Sequence, residues 1–121
     1  MNIRAINKNG IDIAIVSSSN MLITDVQSAL DLMATVSYEV SCQRIIINKS
    51  AICEEFFDLK TRLAGEILQK FINYRTKIAI IGDYSTYTSK SLKDFIYESN
   101  NGRDIFFLSN EDQAIEKLSA V

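Results

Sequence analysis

The stretch RIIINKSAICEEFFDLKTRLAGEILQKFINYRTKIAIIGD, residues 44–83, decides the fold. It opens on a β-branched run, Arg44 to Asn48, suited to a strand buried on both faces. Leu63, Ala64, Ile67, Leu68, Phe71 and Tyr74 then recur at helical spacing, with Arg62, Glu66, Gln69 and Asn73 on the opposite side. KIAIIGD is a second buried strand, punctuated by Gly82. A strand, a helix and another strand in this order predict a crossover between parallel neighbours.

The pattern extends in both directions. Upstream, Ile3 and Ala5, then Ile11, Ile13 and Ile15, alternate with polar or small residues around Asn9-Gly10. That dipeptide accepts positive φ at a tight turn, so residues 2–7 and 11–17 read as a β-hairpin. Thr24 with Gln27 forms a capping-box pattern, and Val26, Ala29, Leu30, Met33 and Val36 place a helix over about Asp25 to Tyr38. Downstream, Ser89 or Ser91 caps a helix with Leu92, Phe95 and Ile96 that Asn101-Gly102 ends. DIFFL, from Asp104, is the last strand, and Asn110 with Gln113 caps a final helix carrying Ala114, Ile115 and Leu118. The expected fold is α/β, ordered β-β-α-β-α-β-α-β-α. Its five-stranded sheet is mixed and mostly parallel, the antiparallel hairpin lies at an edge, and helices cover both faces with Ile46, Ile78 and Ile80 in the core. No linker or repeat divides residues 1–121, which read as a single domain.

Composition narrows the function classes. The net charge is −2 and no Lys/Arg run appears, so nucleic acid is not an expected partner. The first ten residues have no apolar core of a signal peptide, and no apolar run approaches a membrane span, so a cytoplasmic protein is expected. Histidine is absent, which removes the commonest general base and the commonest metal ligand. Cys42 and Cys53 are too far apart for a CxxC site and read as packed thiols. Neither GxGxxG nor GxxxxGK[ST] occurs. No metal and no cofactor is expected.

In an open α/β sheet, ligands and partners meet the carboxyl ends of the strands. That rim gathers Ser17, Ser18, Ser19 and Asn20, then Asn48, Lys49 and Ser50, then Gly82, Asp83 and Tyr84, and finally Ser109 and Asn110. Asp58, Lys60 and Thr61 are expected at the start of the second major helix, with Asp58 as its cap. Strand-to-helix turns favour Ser, Asn, Asp and Gly for local hydrogen bonding alone, so any one of these residues also has a purely structural reading. Glu54, Glu55, Lys60, Arg62, Glu66 and Lys70 mix signs as a solvated face does. Phe56-Phe57 stands out: adjacent aromatics on a helical approach cannot both point into one core, so either one is exposed and anchors a partner or both bury in a turn.

The run LITDVQSALDLMATVSYE (22–39) and the run INKSAICEEFFDLKTRLAGEILQKFINYRTKIAIIGDYSTYTSKSLKDFIYESNNGRDIFF (47–107) closely resemble a bacterial family catalogued as domain of unknown function 4180. At the level of fold, the chain also resembles STAS domains of the anti-sigma-factor antagonist type, which share its length and element order. There, an apolar-Asp-Ser-Ser-Gly motif opens a helix, and a phosphorylated serine switches partners. Phe56, Phe57 and Asp58 match the lead-in; Leu59-Lys60-Thr61 replaces the serines and Gly65 falls late, leaving Thr61 as the nearby hydroxyl.

Two readings follow. In the first, the chain is a non-enzymatic, STAS-like regulatory module docking a protein partner through Phe56, Phe57, Asp58, Lys60, Thr61 and Arg62; a homodimer is a separate expectation with no surface assigned. The alternative is a domain that binds a small anion or nucleotide, or acts as an enzyme, in a rim pocket of Ser17, Ser18, Asn20, Lys49, Ser50, Asp83 and Tyr84. An exposed Phe on a flat surface favours the first, and a concave, polar-lined cleft favours the second.

Overall fold

The computed structural model describes residues 1–121. Two strands, β1 (Asn2–Lys8) and β2 (Ile11–Ser17), form the hairpin. Asn9 (φ 55°) and Gly10 (φ 83°) supply the two left-handed residues that a two-residue turn requires. The chain continues through α1 (Val26–Val40), β3 (Arg44–Asn48), α2 (Leu63–Asn73), β4 (Lys77–Ile81), α3 (Lys90–Asn100), β5 (Ile105–Leu108) and α4 (Glu111–Ser119). Three single-turn 3-10 segments, Lys49–Ala51, Glu54–Phe57 and Leu59–Thr61, fill the connection from β3 to α2.

The strands lie side by side in chain order, β1-β2-β3-β4-β5, with β1 antiparallel to β2 and every other pair parallel. The mixed sheet and the edge position of the hairpin agree with the sequence reading. Right-handed crossovers repeated in one direction land on the same face each time. Accordingly α1, α2 and α3 all bury their apolar stripes on one face, against Val16, Ile45, Ile47, Ile78, Ile80 and Phe107, in a cluster of 23 buried residues. Only α4 folds over the other face, where Ala114 and Leu118 join Ile13, Ile15, Ile46, Ala79 and Phe106 in a cluster of seven. Helices therefore cover both faces, but three to one. Ion pairs at the hairpin edge, Arg4 with Glu111 and Lys8 with Glu116 (2.7 Å), hold α4 against β1.

Some local expectations shift. The capping box of α1 is Asp25 with Ser28, one residue beyond Thr24 and Gln27. Asp25 accepts the Ser28 N–H at 2.7 Å, and Ser28 Oγ accepts the Asp25 N–H at 3.1 Å. Tyr74 is exposed and ends α2 rather than joining its buried stripe, because helical geometry stops at Asn73. Ser89 caps α3 and Asn110 caps α4, accepting the Leu92 and Gln113 N–H groups.

Ile46, Ile78 and Ile80 are at most 1% exposed. Ile80→Asp buries an unpaired charge among the helices of the major face, at a cost of about 4 kcal/mol or more. Thermal melts followed by circular dichroism should show loss of the cooperative transition; a melting temperature near wild type would contradict the doubly covered sheet.

Candidate functional site

The chain leaves β4 toward the face of α3 and leaves β5 toward the face of α4. Neighbouring connections that part to opposite faces open a crevice beyond the strand ends, the place where open α/β sheets hold ligands. Here that crevice has a volume of about 540 Å³ and is lined by Gly82, Asp83, Tyr84, Ser85 and Ser109. Gly82 and Asp83 also line an adjoining recess of about 420 Å³, with Asn48, Lys49, Ser50 and Glu54 as its polar wall and Met21, Ile52 and Ile81 as its apolar one. Asn48 in turn borders a third hollow along Ser17, Ser18 and Ser19. The Asn48 side chain accepts the Ser18 N–H at 3.2 Å and donates to the Ser18 carbonyl at 3.1 Å, tying these loops together. Asn20 serves the same loop, donating its N–H to Ser18 Oγ. Ser17, Ser18, Lys49, Ser50, Asp83 and Tyr84 thus lie along one continuous polar rim.

At its centre is a cluster of residues far apart in the chain. Lys49 Nζ is 3.3 Å from Glu54 Oε1 and stands over the rings of Phe57 (5.0 Å) and Tyr87 (4.8 Å). The Tyr87 hydroxyl donates to the Glu54 carboxylate, 3.1 Å from both oxygens. Burial opposes the Lys49 charge, but Tyr87 and Glu54 outweigh it and raise its pKa. Glu54, whose charge suggested a plain solvated face, and Tyr87 carried no local sequence signal for this pairing. Gly82 makes room for it, since a Cβ there would lie 2.6 Å from Lys49 Cβ.

Two further groups have perturbed protonation. Ser85, through its side chain and its N–H (2.8 Å), holds the Asp83 carboxyl below the usual carboxylate range, and the Lys49 charge adds to the effect. Burial pushes the Tyr84 phenol well above its ordinary pKa, and its hydroxyl donates to the Ile80 carbonyl at 2.8 Å.

The segment before α2 departs from expectation. Phe56 and Phe57 are both buried, at 2% and 4% exposure, so neither is an exposed anchor. The 3-10 turn lets both fit: the rings meet edge to face at 4.9 Å, and Phe57 stacks under Tyr87 at 5.6 Å. Asp58 caps the short turn Leu59–Thr61 through the Lys60 N–H rather than α2. Arg62 follows in the left-handed region (φ 64°) and breaks the chain direction before Leu63 starts the helix. Thr61 Oγ1 lies 2.8 Å from the carbonyls of both Glu55 and Asp58 and accepts the Leu63 N–H at 3.2 Å. Its hydroxyl is a local tie, which a phosphate would break. Asp58, Lys60, Thr61 and Arg62 are exposed as residues.

Elsewhere, Cys42 and Cys53 are buried free thiols whose pKa values burial raises. No group of three or more Cys, Asp or Glu side chains is arranged to hold a metal ion. No helix is long and apolar enough to cross a membrane. At the amino ends of β3 and β4, a recess of about 450 Å³ runs beside α1, lined in part by Leu30, Met33, Ala34, Cys42 and Tyr74.

Fold and rim define an α/β domain with a single mixed sheet and a polar crevice at its carboxyl edge. The chain belongs to the family described as Domain of unknown function (DUF4180), whose model matches residues 8–118. No curated protein and no solved structure matches it.

Two substitutions test the rim's construction. Gly82→Ala drives a Cβ into the Lys49 stem and should destabilise the domain by about 1–3 kcal/mol in denaturant titrations; an unchanged midpoint would refute that close approach. Because Tyr84 has a raised pKa when folded, its contribution is complete below pH 10 and is lost as pH rises from there through the folded value. Tyr84→Phe should therefore flatten the fall in stability above pH 10. It should cost about 1 kcal/mol near neutrality, for the lost bond to Ile80. Parallel alkaline profiles for the two proteins would count against a buried, neutral phenol.

Proposed function

We propose that the domain binds a small polar ligand bearing a protonated amine in the crevice between the β4 and β5 connections. The observation that carries this reading is the parting of those connections to opposite faces, which leaves a concave, polar-lined site. Its charge favours a cation over an anion or a nucleotide. One ammonium, Lys49, faces two carboxylates, Glu54 and Asp83, and Lys49 is already held by Glu54 and two aromatic rings. Asp83 is exposed, ionised and aimed by Ser85, while Ser85 and Ser109 offer hydroxyls beside it. Asp58 is engaged in capping the turn Leu59–Thr61 and lines neither the crevice nor its adjoining recess, which supports binding there rather than catalysis by Asp58 and Asp83 as a pair.

Thermal-shift measurements with ethanolamine and putrescine, set against inorganic phosphate and ATP, test the reading. A ligand at a hundredfold excess over its Kd stabilises by about 2.7 kcal/mol. The amines should raise the melting temperature of wild type and leave Asp83→Asn unmoved. Stabilisation by phosphate or ATP, or an amine effect that survives Asp83→Asn, would overturn it.

A STAS-like docking role for the segment before α2 rests on what that segment leaves outside: Asp58, Lys60 and the strained Arg62. Capture of a protein from the native cell that is lost with Lys60→Glu and Arg62→Glu, but not with Asp83→Asn, would support docking there and separate it from the crevice.

A further inference from the structure

The sheet has two free edges, and they are treated differently. At β5, the Asn100 side chain behaves like a short strand. Its carboxamide accepts the Phe107 N–H at 2.7 Å and donates to the Phe107 carbonyl at 3.1 Å. That blocks pairing along a strand only four residues long. At β1 nothing comparable exists. The strand runs seven residues in unbroken register with β2, from Asn2 opposite Ser17 to Lys8 opposite Ile11, with no bulge. The two-residue turn makes Lys8 and Ile11 the closing hydrogen-bonded pair, and bonded pairs recur at Ile6, Arg4 and Asn2. Ile3, Ala5 and Asn7 therefore turn their backbone N–H and C=O groups away from β2, and no other backbone group meets them.

Charged side chains usually guard such an edge. Here Arg4 and Lys8 are drawn instead onto the α4 face by Glu111 and Glu116. With both cations answered within the chain, the edge makes no demand for an acidic partner strand. What it lacks is backbone hydrogen bonds.

We infer that two copies of this chain join edge to edge through β1, an antiparallel β1–β1 pair making their two mixed sheets continuous across a two-fold axis at Ala5. The register about that axis is self-consistent. Ala5 meets its own counterpart, Ile3 meets Asn7, Arg4 meets Ile6, and Asn2 meets Lys8. The outward-facing residues Ile3, Ala5 and Asn7 fall in hydrogen-bonded positions on both copies, giving about six ladder bonds. No like charges lie directly opposite, and the small Ala5 side chain crowds nothing at the axis.

Ala5→Pro and Ala5→Cys test the dimer. Proline is tolerated on an edge strand whose N–H faces solvent, but it cannot donate across the axis. Cysteines at the axis would sit within disulfide reach, with Cα atoms about 5.5 Å apart. The native thiols are buried and Tyr38 is 91% exposed, so Tyr38→Cys serves as an exposed control. In sedimentation equilibrium, wild type should be a dimer, and Ala5→Pro should lose it while keeping a cooperative melt. Under mild oxidation, Ala5→Cys should convert to a covalent dimer and Tyr38→Cys should not. A monomeric wild type, a folded Ala5→Pro that stays dimeric, or a dimeric Ala5→Cys that fails to cross-link would overturn the inference. If Ala5→Pro does not fold, the Ala5→Cys result decides alone.

Discussion

Handedness constrains everything else in this molecule. Each connection from β2 to β5 crosses over in the same sense while the strands advance in one direction, so α1, α2 and α3 accumulate on a single face. The opposite face would be left with Ile13, Ile15, Ile46, Ala79 and Phe106 in water. The nine residues of α4 prevent that, fixed by Ala114 and Leu118 below and by ion pairs to β1 at the side. Because α4 must go where the other helices do not, the chain after β5 has to turn away from the chain after β4. The crevice is a consequence of that turn.

The rim is rigidified by groups whose primary role is packing. Phe57 is roofed by Tyr87, Tyr87 is held by Glu54, and Glu54 is paired with Lys49, whose stem fills the space that Gly82 leaves. Tyr84 closes the same region from the other side, edge-on to Phe107 at 5.7 Å. These contacts join β3, β4 and the approach to α2 into one wall. They leave Asp83, Ser85 and Ser109 as the groups free to meet a ligand, while the cation that looked available in the sequence is already satisfied.

Much of the architecture was legible because it is local. The Asn9-Gly10 turn, the apolar runs at Ile45–Ile47 and Ile78–Ile81, and the caps at Ser89 and Asn110 each express a preference within a few residues. The three-to-one helix distribution was not legible, because it depends on strand order, which no local pattern encodes. The rim residues were found from their place after strands, yet their division of labour was hidden. Glu54 and Tyr87 meet across 33 residues of sequence, and neither sits in a motif. Of the two readings of Phe56-Phe57, burial of both in a turn holds, and the exposed anchor fails because it assumed a helical approach. A 3-10 turn wedged between α2 and the Tyr84–Tyr87 loop offers a buried direction to both rings. The acceptors of Thr61, the carbonyls of Glu55 and Asp58, could not be named from sequence because they become neighbours only when that turn forms.

Where a ligand lands on the rim is the most direct test of the crevice. Backbone amide shifts recorded during titration with ethanolamine, on the assigned protein, read that location residue by residue. The predicted result is a saturable change confined to Gly82 through Ser85 and to Ser109 and Asn110, with Lys49 and Tyr87 moving less. Shifts centred on the recess beside α1, at Leu30, Ala34 and Cys42, or no saturable shift at all, would contradict it.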